Sequence, residues 1–324
     1  MTRGLVIGTT AAAASTLLTA CEGIQSTFST FGSEAESTRA LTVTMVAAAT
    51  VITIAVLGLA VHAVRAPEGR LDHRRGMRVI LWLGAIGPTL ILATLLATTL
   101  PTMRTLAAKP GDLEIHVEGE QFWWRVQYTP AAGNPVESAN EIRLPVGRTV
   151  TFLLTSPDVI HSFWIPGLAG KMDMIPGRTN RLVVQATAAG AYRGACAEFC
   201  GLSHARMAFD VIAMEAGDFD RWLAGQSQPA ASADAPGRQL FEEYGCIGCH
   251  RVRGLPGGSP IGPDLTHFGS RPTLGAGILP IETQAVASFI RDPSVSKPGA
   301  LMPSFHDMAD EDAQAIARWL MELR

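Results

Sequence analysis

Two long runs without charged side chains constrain the fold of this chain most strongly. Residues 41–64 and 79–100 contain no Asp, Glu, Lys or Arg. As α-helices they would be roughly 36 and 33 Å long, which is enough to cross a hydrocarbon core of about 30 Å. We therefore predict a two-helix transmembrane hairpin over residues 41–104, with a kink at Pro88 in the second helix.

The segment between the two runs indicates how the hairpin is oriented. Residues 65–78 carry five Arg against one Glu and one Asp. Basic side chains close to membrane spans stay in the cytoplasm, so everything after about residue 104 is predicted to lie outside. Residues 1–20 are typical of an export signal, which agrees with this orientation. Residues 22–40 are rich in Ser, Thr and Gly and predict a flexible leader.

The cysteines divide into one single residue and two close pairs. They are Cys21, Cys196, Cys200, Cys246 and Cys249. In a chain of this length, close pairs indicate cofactor or redox sites more readily than a disulfide framework. The stretch LTAC that ends at Cys21 resembles a bacterial lipobox and predicts lipidation there, with an ordinary signal peptide as the alternative. The net charge of −3 argues against nucleic acid as the main partner.

The part after the hairpin predicts two further domains. Residues 112–215 contain short β-branched runs separated by Gly and Pro, which indicate an all-β sandwich or barrel. Residues 225–236 form a low-complexity linker, which predicts a flexible tether. Residues 237–324 have helix-forming ends around a middle rich in Gly and Pro, which predicts a small all-α domain built around a cofactor.

The sequence CIGCH at 246–250 is the attachment pattern of c-type haem. Cys246 and Cys249 would add to the two vinyl groups of one porphyrin edge, and His250 would bind the iron. A thioredoxin-like C-x-x-C is the alternative, but that motif does not require the following His. The predicted extracytoplasmic location and the small helical domain favour haem.

A second axial ligand is expected later in the same domain. Met302 lies between Pro298 and Pro303, in a stiff loop suited to hold its sulfur over the open haem face. Ligation by Met and His raises the potential and suits electron transfer. The competing candidates are Met308, His267 and His306.

The stretch GACAEFCGLSHARM at 194–207 holds a second cluster of candidate ligands. A disulfide between Cys196 and Cys200 is possible in an oxidising compartment. Zinc would use two Cys and two His without Met, and a single blue-copper site needs only one Cys. Two copper ions bridged by both thiolates would also employ His204 and Met207, but they need a second imidazole. His161 is the candidate, in a position where cupredoxins hold their distant His, and His116 is its competitor.

Three stretches together resemble one protein family. They are QFWWRVQY at 121–128, HSFWIPGLAGKMDMIPGR at 161–178 and ACAEFCGLSHARM at 195–207. They are similar to subunit II of haem–copper cytochrome c oxidases, and the C-x-x-C-H tail matches the caa type with a fused cytochrome c. The resemblance covers the chain from about residue 40. It implies a multi-domain membrane protein with a two-helix transmembrane hairpin, an all-β cupredoxin domain and a small all-α cytochrome c domain.

The resemblance also implies a set of metal ligands. The copper A ligands would be the thiolates of Cys196 and Cys200, the imidazoles of His161 and His204, the sulfur of Met207 and the backbone carbonyl of Glu198. The Glu198 side chain would reach a magnesium ion shared with subunit I. Two copper ions, one covalent haem c and this magnesium are the cofactors that the family predicts.

Several further positions bear on the differences from the family and on its interfaces. Phe122 stands where the family often has the Trp through which electrons enter, and Trp123 and Trp124 follow it. Val79 stands three residues before Trp82, where many members have a proton-channel Glu, so proton uptake at this place is in doubt. The acidic residues Asp158 and Asp173 are candidates for cytochrome docking or for the interface with subunit I.

The resemblance implies the electron-accepting subunit of a respiratory terminal oxidase, in a bacterial inner membrane with both cofactor domains outside. Subunits I and III and the membrane are the expected partners, and no nucleic acid. External cytochrome c or a quinol–cytochrome c reductase is the expected donor. The oxygen-reducing site would lie on another chain, so this chain carries no catalytic residue of its own.

Other functions remain open at this stage. A copper A nitric oxide reductase uses a similar subunit, and a free-standing membrane electron carrier would need no partner enzyme. Soluble nitrous oxide reductase is disfavoured by the predicted hairpin. A quinol oxidase subunit II is disfavoured because that relative lacks the copper ligands.

Overall fold

The computed structural model describes residues 23–67, 72–106, 111–130, 135–230 and 236–324. The chain forms two compact units, of which one is Ser37–Lys109 and the other combines the residues before and after it. The predicted export signal and Cys21 lie outside the described residues. The fold class is the predicted one: apolar N-terminal helices, a β-sheet domain and a helical C-terminal region.

Two helical stretches are long and apolar enough to cross a membrane. The helices are α1 (Ser33–Arg65), α2 (His73–Val79) and α3 (Gly87–Leu106), with a π-helical segment, Ile80–Ile86, between α2 and α3. No residue in the apolar windows of α1 and of the stretch His73–Leu100 is buried. A helix hydrogen-bonds its own backbone, so such apolar surfaces are suited to contact with lipid.

The second stretch is irregular close to Pro88, where a kink is predicted. The Gly87 N–H bonds to the carbonyl of Trp82, five residues earlier. Proline lacks an N–H and its ring crowds the carbonyl four residues before it. The π-helical segment is the local adjustment that the chain adopts beside this break.

The prediction of a flexible leader over residues 22–40 is wrong for its described part. Phe31 is buried, stacks on the ring of Tyr192 and donates its N–H to the Gly167 carbonyl at 2.7 Å. Gly32 forms a β-bridge with Ala186. Helix α1 then begins at Ser33, before the predicted start at residue 41. One buried aromatic residue therefore fixes a segment whose composition alone suggests no structure.

Ten strands form the β-domain as two five-stranded sheets. The strands are β1 (Leu113–Glu120), β2 (Trp123–Thr129), β3 (Val136–Ala139), β4 (Glu141–Pro145), β5 (Thr149–Thr155), β6 (His161–Trp164), β7 (Met172–Met174), β8 (Asn180–Gln185), β9 (Gly190–Cys196) and β10 (Ala208–Met214). The strand orders are β3-β2-β1-β5-β8 and β4-β10-β9-β6-β7. The β1–β5 and β4–β10 pairs are parallel, whereas the other pairs are antiparallel.

Aromatic side chains fill the core of the β-domain. Trp124 and Phe209 meet edge to face with their ring centroids 5.0 Å apart. Phe163 stacks on Phe209 at 5.0 Å and is tilted against Phe152 at 4.9 Å. Such geometries are the favoured ones for aromatic pairs. Because Phe163 lies on β6 and Phe209 on β10, the core fixes the strands that flank the candidate metal ligands.

The C-terminal region is a small helical fold. Helix α4 (Ala216–Gln226) ends the β-domain, and the later helices are α5 (Pro236–Glu243), α6 (Thr283–Arg291), α7 (Pro293–Ser296) and α8 (Asp310–Glu322). A short hairpin joins β11 (Thr273–Leu274) to β12 (Leu279–Pro280). Helices α5 and α8 pack closely through Phe241 and Trp319, whose ring centroids lie 5.1 Å apart.

The β-domain and the helical domain belong to one compact unit and share hydrogen bonds. The Ala208 N–H donates to the Ala276 carbonyl at 3.0 Å, and Arg193 donates to the Gly277 carbonyl at 2.6 Å. Thr273 donates its hydroxyl to Asp210. The β11–β12 hairpin of the helical domain is therefore attached to β9, which leads into the 196–207 loop, and to β10, which follows the loop.

The described part of the predicted linker is packed against the helical domain. Arg253 donates to the Gln226 carbonyl at 2.6 Å, and Ala230 donates its N–H to the Arg253 carbonyl at 3.3 Å. Residues 231–235 lie outside the described part. The expectation of a purely flexible tether is thus wrong for residues 226–230.

Candidate functional site

Two neighbouring strands hold the candidate copper ligands. His161 is the first residue of β6 and Cys196 the last residue of β9, and these strands pair in antiparallel fashion. The Cys196 N–H donates to the Met207 carbonyl at 2.9 Å, which closes the 196–207 loop at its base. The loop therefore leaves and rejoins the sheet beside His161.

The structure brings the predicted ligand atoms into one cluster. The Sγ atoms of Cys196 and Cys200 lie 3.8 Å apart. His161 Nδ1 is 3.8 Å from Cys196 Sγ, and His204 Nδ1 is 3.7 Å from Cys200 Sγ. Met207 Sδ lies 3.8 Å from Cys200 Sγ. Each sulfur thus has its own imidazole.

The carbonyl oxygen of Glu198 completes the cluster. It lies 3.1 Å from Cys196 Sγ, whereas the Glu198 side chain is exposed. A backbone oxygen at one sulfur and a thioether at the other give each half of the cluster one weak donor in addition to the thiolates and imidazoles.

The two cysteines are free thiols, because a disulfide needs its sulfurs about 2.05 Å apart. The neighbouring Cys200 thiol, followed by His161, lowers the pKa of Cys196 to about 3, against a smaller opposing effect of burial. The charged Cys196 in turn raises the pKa of Cys200. Metal ligation requires thiolates, and the lowered pKa of Cys196 favours that form at this sulfur.

A carboxylate orients His161 from the side opposite to the sulfur. Asp158 Oδ1 lies 2.9 Å from His161 Nε2, and the N–H groups of Gln121 and Val159 donate to the same carboxylate. Burial raises the pKa of Asp158, but these hydrogen bonds outweigh it and the net pKa is lowered. The charged carboxylate therefore holds Nε2–H and directs Nδ1 at the cluster. From the sequence, Asp158 was a candidate for cytochrome docking or for the interface with subunit I, and its contact with His161 was not predicted.

Gln121 reaches both halves of the cluster. Its N–H bonds Asp158, and its side-chain amide donates to the Cys200 carbonyl. Gln121 lies in the QFWWRVQY stretch, but no role was predicted for it. A polar side chain in a turn between two strands carries no signal of the ligands it will support.

The three aromatic residues proposed for electron transfer have different surroundings. Phe122 is buried against the 196–207 loop, where it lies beside Gly201. Trp123 is half-buried and carries the guanidinium of Arg125 over its ring at 4.7 Å. Trp124 is fully buried in the core, with its ring centroid 6.3 Å from that of His161. Phe122 is therefore the aromatic residue that contacts the loop itself.

The C-x-x-C-H segment forms a tight turn after α5. The His250 and Cys249 N–H groups both donate to the Cys246 carbonyl, and both cysteines are free thiols. His250 Nδ1 lies 2.8 Å from the Pro263 carbonyl, so Nδ1 carries the proton and Nε2 is the nitrogen available to iron. Burial lowers the pKa of His250, which favours the neutral form that a metal ligand needs.

Gly262 keeps the His250 ring in this orientation. A Cβ atom added at Gly262 would lie 2.7 Å from His250 Cε1, so a side chain there would displace the ring. The Gly262 N–H donates to the Cys249 carbonyl at 2.7 Å. The turn and the Gly262 segment thus enclose the imidazole between them.

The candidates for the second axial ligand differ in their surroundings. Met302 lies half-buried at the edge of the helical core, in the segment between α7 and α8. Met308 is buried within that core. His267 is buried with Nε2 3.2 Å from the Gln228 carbonyl, and His306 is exposed.

The remaining candidate positions lie apart from the cluster contacts described above. Asp173 is exposed on β7, where its carbonyl accepts a hydrogen bond from Asn180 at 2.7 Å. Val79 is the last residue of α2, and Trp82 follows in the π-helical segment.

Comparison with known proteins identifies both extramembrane domains. Residues 131–214 match the family model "Cytochrome C oxidase subunit II, periplasmic domain". Residues 235–324 match the family model "Cytochrome c". The first match contains the 196–207 loop, and the second contains the C-x-x-C-H turn.

Relatives that match about three quarters of this chain are also named as subunit 2 of cytochrome c oxidase. Cytochrome c oxidase subunit 2 of Alkalihalophilus pseudofirmus is 39% identical over 248 residues, which are 73% of this chain and 71% of the relative. The subunit 2 of Bacillus sp. strain PS3 is 32% identical, over 76% of this chain and 72% of the relative. The crystal structure of the periplasmic domain of subunit II (CoxB) of Bradyrhizobium japonicum is 31% identical, covering 36% of this chain and 95% of that domain with a TM-score of 0.35. This chain therefore belongs to the cytochrome c oxidase subunit 2 family, as a member with a C-terminal cytochrome c domain, and is a subunit of an oxidoreductase complex.

Proposed function

We propose that this chain accepts electrons at a covalent haem c and a dinuclear copper A centre and passes them to the oxygen-reducing subunit I of a respiratory oxidase. The proposal assigns the copper site to residues 112–215 and the haem site to residues 237–324. The observation that carries it is the cluster in which each of two neighbouring sulfurs has its own imidazole.

The ligand cluster has the dimensions that a bridged metal pair needs. Metal–thiolate bonds are about 2.3 Å long, so the Sγ atoms of Cys196 and Cys200, 3.8 Å apart, are close enough that both would hold the same ion. The distances of 3.8 and 3.7 Å from His161 and His204 to their sulfurs fit metal–imidazole bonds of about 2.0 Å in the same way. These residues thus fit two ions bridged by two thiolates.

The donor chemistry favours copper over zinc. Thiolates bind both copper and zinc, so the thioether is the donor that distinguishes them, and Met207 Sδ is 3.8 Å from Cys200 Sγ. A structural zinc site would use two Cys and two His and would have no use for the thioether. Asp158 would keep His161 in its binding tautomer, and the β-sandwich core would keep water away from the buried thiolates.

The helical domain fits a covalent haem. Cys246 and Cys249 supply the thiols and His250 Nε2 the axial nitrogen, which the Pro263 carbonyl orients. Met302 is the proposed second ligand, because Met308 is committed to the core and His267 to Gln228. When bound, the haem and the copper pair supply one-electron redox chemistry.

The setting of the site follows from the rest of the chain. The proposal places the protein in a bacterial inner membrane as a two-span protein with both cofactor domains outside. Subunits I and III are the proposed neighbours, and external cytochrome c or a quinol–cytochrome c reductase is the proposed donor. The exposed Glu198 carboxylate would contribute to a magnesium ion at the subunit I interface, and Asp173 would lie in the same interface. Lipidation at Cys21 is part of this proposal.

Metal and haem analysis of the oxidase purified from membranes tests the proposal. We expect two copper ions in addition to the copper of subunit I, and one haem that stays attached to this chain under denaturing conditions. A single copper ion, or zinc in its place, would overturn the assignment of the 196–207 loop.

The role of Met302 has its own test. In Met302→Ala we expect loss of the sulfur-to-iron charge-transfer band, with the haem still covalently attached. Met308→Leu is a control for the core methionine and should keep the band. Retention of the band in Met302→Ala would exclude Met302 as the axial ligand.

A further inference from the structure

The Phe122 ring lies between two glycines that belong to different domains. A Cβ atom added at Gly201, in the 196–207 loop, would lie 3.1 Å from Phe122 Cζ, and one added at Gly299, in the helical domain, would lie 3.2 Å from Phe122 Cε2. Phe122 is only 4% exposed. Both glycines have positive φ angles, +127° and +78°, which favour glycine in any case. The ring therefore fills a space between the 196–207 loop and the helical domain.

Hydrogen bonds hold residues 296–299 of the helical domain, here called the 296–299 turn, on the 196–207 loop. The Ser203 hydroxyl donates to the Pro298 carbonyl at 2.7 Å, and Arg206 donates to the Ser296 carbonyl at 2.6 Å. Ser203 is fully buried. Both side chains come from the loop that carries the candidate copper ligands, so the contact is made by the loop itself.

The 296–299 turn is braced from within the helical domain. Lys297 is 4% exposed, and its ammonium donates to the Gly275 carbonyl at 2.6 Å. Gly275 lies in the β11–β12 hairpin, and that hairpin bonds to β9 and β10 through Arg193 and Asp210. The turn and the hairpin thus form one continuous surface against the β-domain.

Phe122 is also linked to the ligands of the cluster. The preceding residue, Gln121, bonds Asp158 through its N–H and the Cys200 carbonyl through its side chain. Asp158 in turn holds His161. Any displacement of Phe122 would therefore act on both halves of the cluster and on the 296–299 turn.

We propose that Phe122 is a positioning residue, a wedge of matched size that seats this chain's own cytochrome domain on the 196–207 loop. The proposal rests on the proposed function and deepens it. The step that it serves is the transfer of one electron from the reduced cytochrome domain to the oxidised copper domain, in which no bond forms or breaks. The ring acts by packing, which sets the distance between the domains, and an indole at this position brings no advantage.

A consequence concerns external donors. Because the 296–299 turn covers Phe122 and Ser203, the face beside the 196–207 loop is occupied by the tethered domain. A soluble electron donor then binds to the cytochrome domain, and electrons reach the copper domain only from there.

Phe122→Trp in the purified oxidase complex tests the wedge. An indole exceeds the space between the two glycines, and overfilling of a packed site loosens it. We expect hydrogen–deuterium exchange in the 296–299 turn to rise about tenfold, and internal electron transfer after flash reduction to slow by a similar factor. Phe28→Trp makes the same substitution at a ring that is 42% exposed and should change neither quantity.

Phe122→Leu is the second variant, because it removes volume and folds without crowding. We expect faster exchange in the 296–299 turn here as well, with the copper signal in electron paramagnetic resonance retained. Unchanged exchange in both variants, or electron transfer that stays equal or becomes faster with Trp, would overturn the wedge. Absence of the copper pair or of the covalent haem from the unmodified complex would instead overturn the proposed function.

Discussion

Asp158 is the carboxylate that we expect to control the proposed copper site without binding the metal. Its hydrogen bond to His161 Nε2 at 2.9 Å fixes the imidazole, and two backbone N–H groups fix the carboxylate. In Asp158→Ala we expect copper affinity to fall about 10- to 100-fold, the usual effect of losing such an outer partner. Copper titration followed by electron paramagnetic resonance measures it. Asp218→Ala, at an exposed helical position, is the control, and equal affinities in the two variants would refute the role of Asp158.

The buried Lys297 should make the free energy of unfolding depend on pH in an unusual way. Burial, as the main cause, lowers its pKa from the ordinary 10.5 to about 7. Between these values the unfolded chain holds the proton that the folded chain has released, so the free energy of unfolding rises with pH by about 1.4 kcal/mol per unit. Below pH 7 the amine is charged in both states and the penalty is constant. We expect the stability of the unmodified chain relative to Lys297→Met to increase by about 2–3 kcal/mol from pH 7 to pH 9.

Denaturant unfolding of the detergent-solubilised complex at the two pH values measures this difference. The comparison with Lys297→Met cancels the other titrating groups, because both chains share them. Parallel pH profiles for the two chains would show that Lys297 keeps its ordinary pKa in the folded state.

These residues mark the limit of sequence reasoning at the site. Cys196, Cys200, His204 and Met207 could be proposed as one cluster from their residue types and short spacing, and His161 was added because it stands where cupredoxins hold their distant His. Gln121, Phe122 and Lys297 act through contacts with residues distant in sequence, such as Gly275 and Gly299. A single sequence contains no pattern that reports such contacts.

At the scale of elements, the packing of α5 on α8 depends on one glycine. A Cβ atom at Gly237 would lie 2.2 Å from the Ala315 carbonyl oxygen and 2.7 Å from Trp319 Cβ. Gly237→Ala must therefore separate the helices, and we expect a loss of about 1–3 kcal/mol in stability. Gly225→Ala in α4 is the matched control, since nothing lies within 4 Å of its added Cβ, and it should stabilise by about 0.5–1 kcal/mol.

Thermal unfolding followed by circular dichroism measures the stability of both variants, and haem absorbance reports in addition on the helical domain that contains Gly237. A Gly237→Ala protein as stable as the unmodified chain would mean that α5 and α8 approach less closely than described. The opposite signs expected for two identical substitutions make the comparison independent of general helix propensity.

The elements themselves were predictable to different degrees. Uncharged runs identify membrane helices because lipid requires them, and β-branched runs between Gly and Pro identify strands. The boundary of α1 was not predictable, because it depends on Phe31 and Ala35 packing against the β-domain. Hydropathy indicates which segments can lie in lipid, but it does not reveal the tertiary contacts that determine where a helix begins.

At the scale of the whole molecule, the two cofactor domains should behave as one cooperative body. Arg193 of β9 donates to the Gly277 carbonyl at 2.6 Å, and an added Cβ at Gly277 would lie 3.1 Å from its guanidinium. Hydrogen bonds from charged donors contribute about 1.5–3 kcal/mol. In Arg193→Ala we therefore expect separation of the domains to become at least about tenfold more frequent.

Hydrogen–deuterium exchange provides the measurement. The Ala208 N–H bonds the Ala276 carbonyl across the same contact between the domains, so it exchanges each time the domains separate there. Its exchange should accelerate in Arg193→Ala, together with that of the 296–299 turn, since Lys297 connects the turn to the hairpin. Arg221→Ala removes an exposed arginine on α4 and should leave both unchanged. If only Ala208 responded, the hairpin and the turn would open separately and the domains would not move as one body. Faster exchange both at Ala208 and in the 296–299 turn would mean that the direct contacts between the two domains, more than the linker, determine how often the helical domain meets the β-domain.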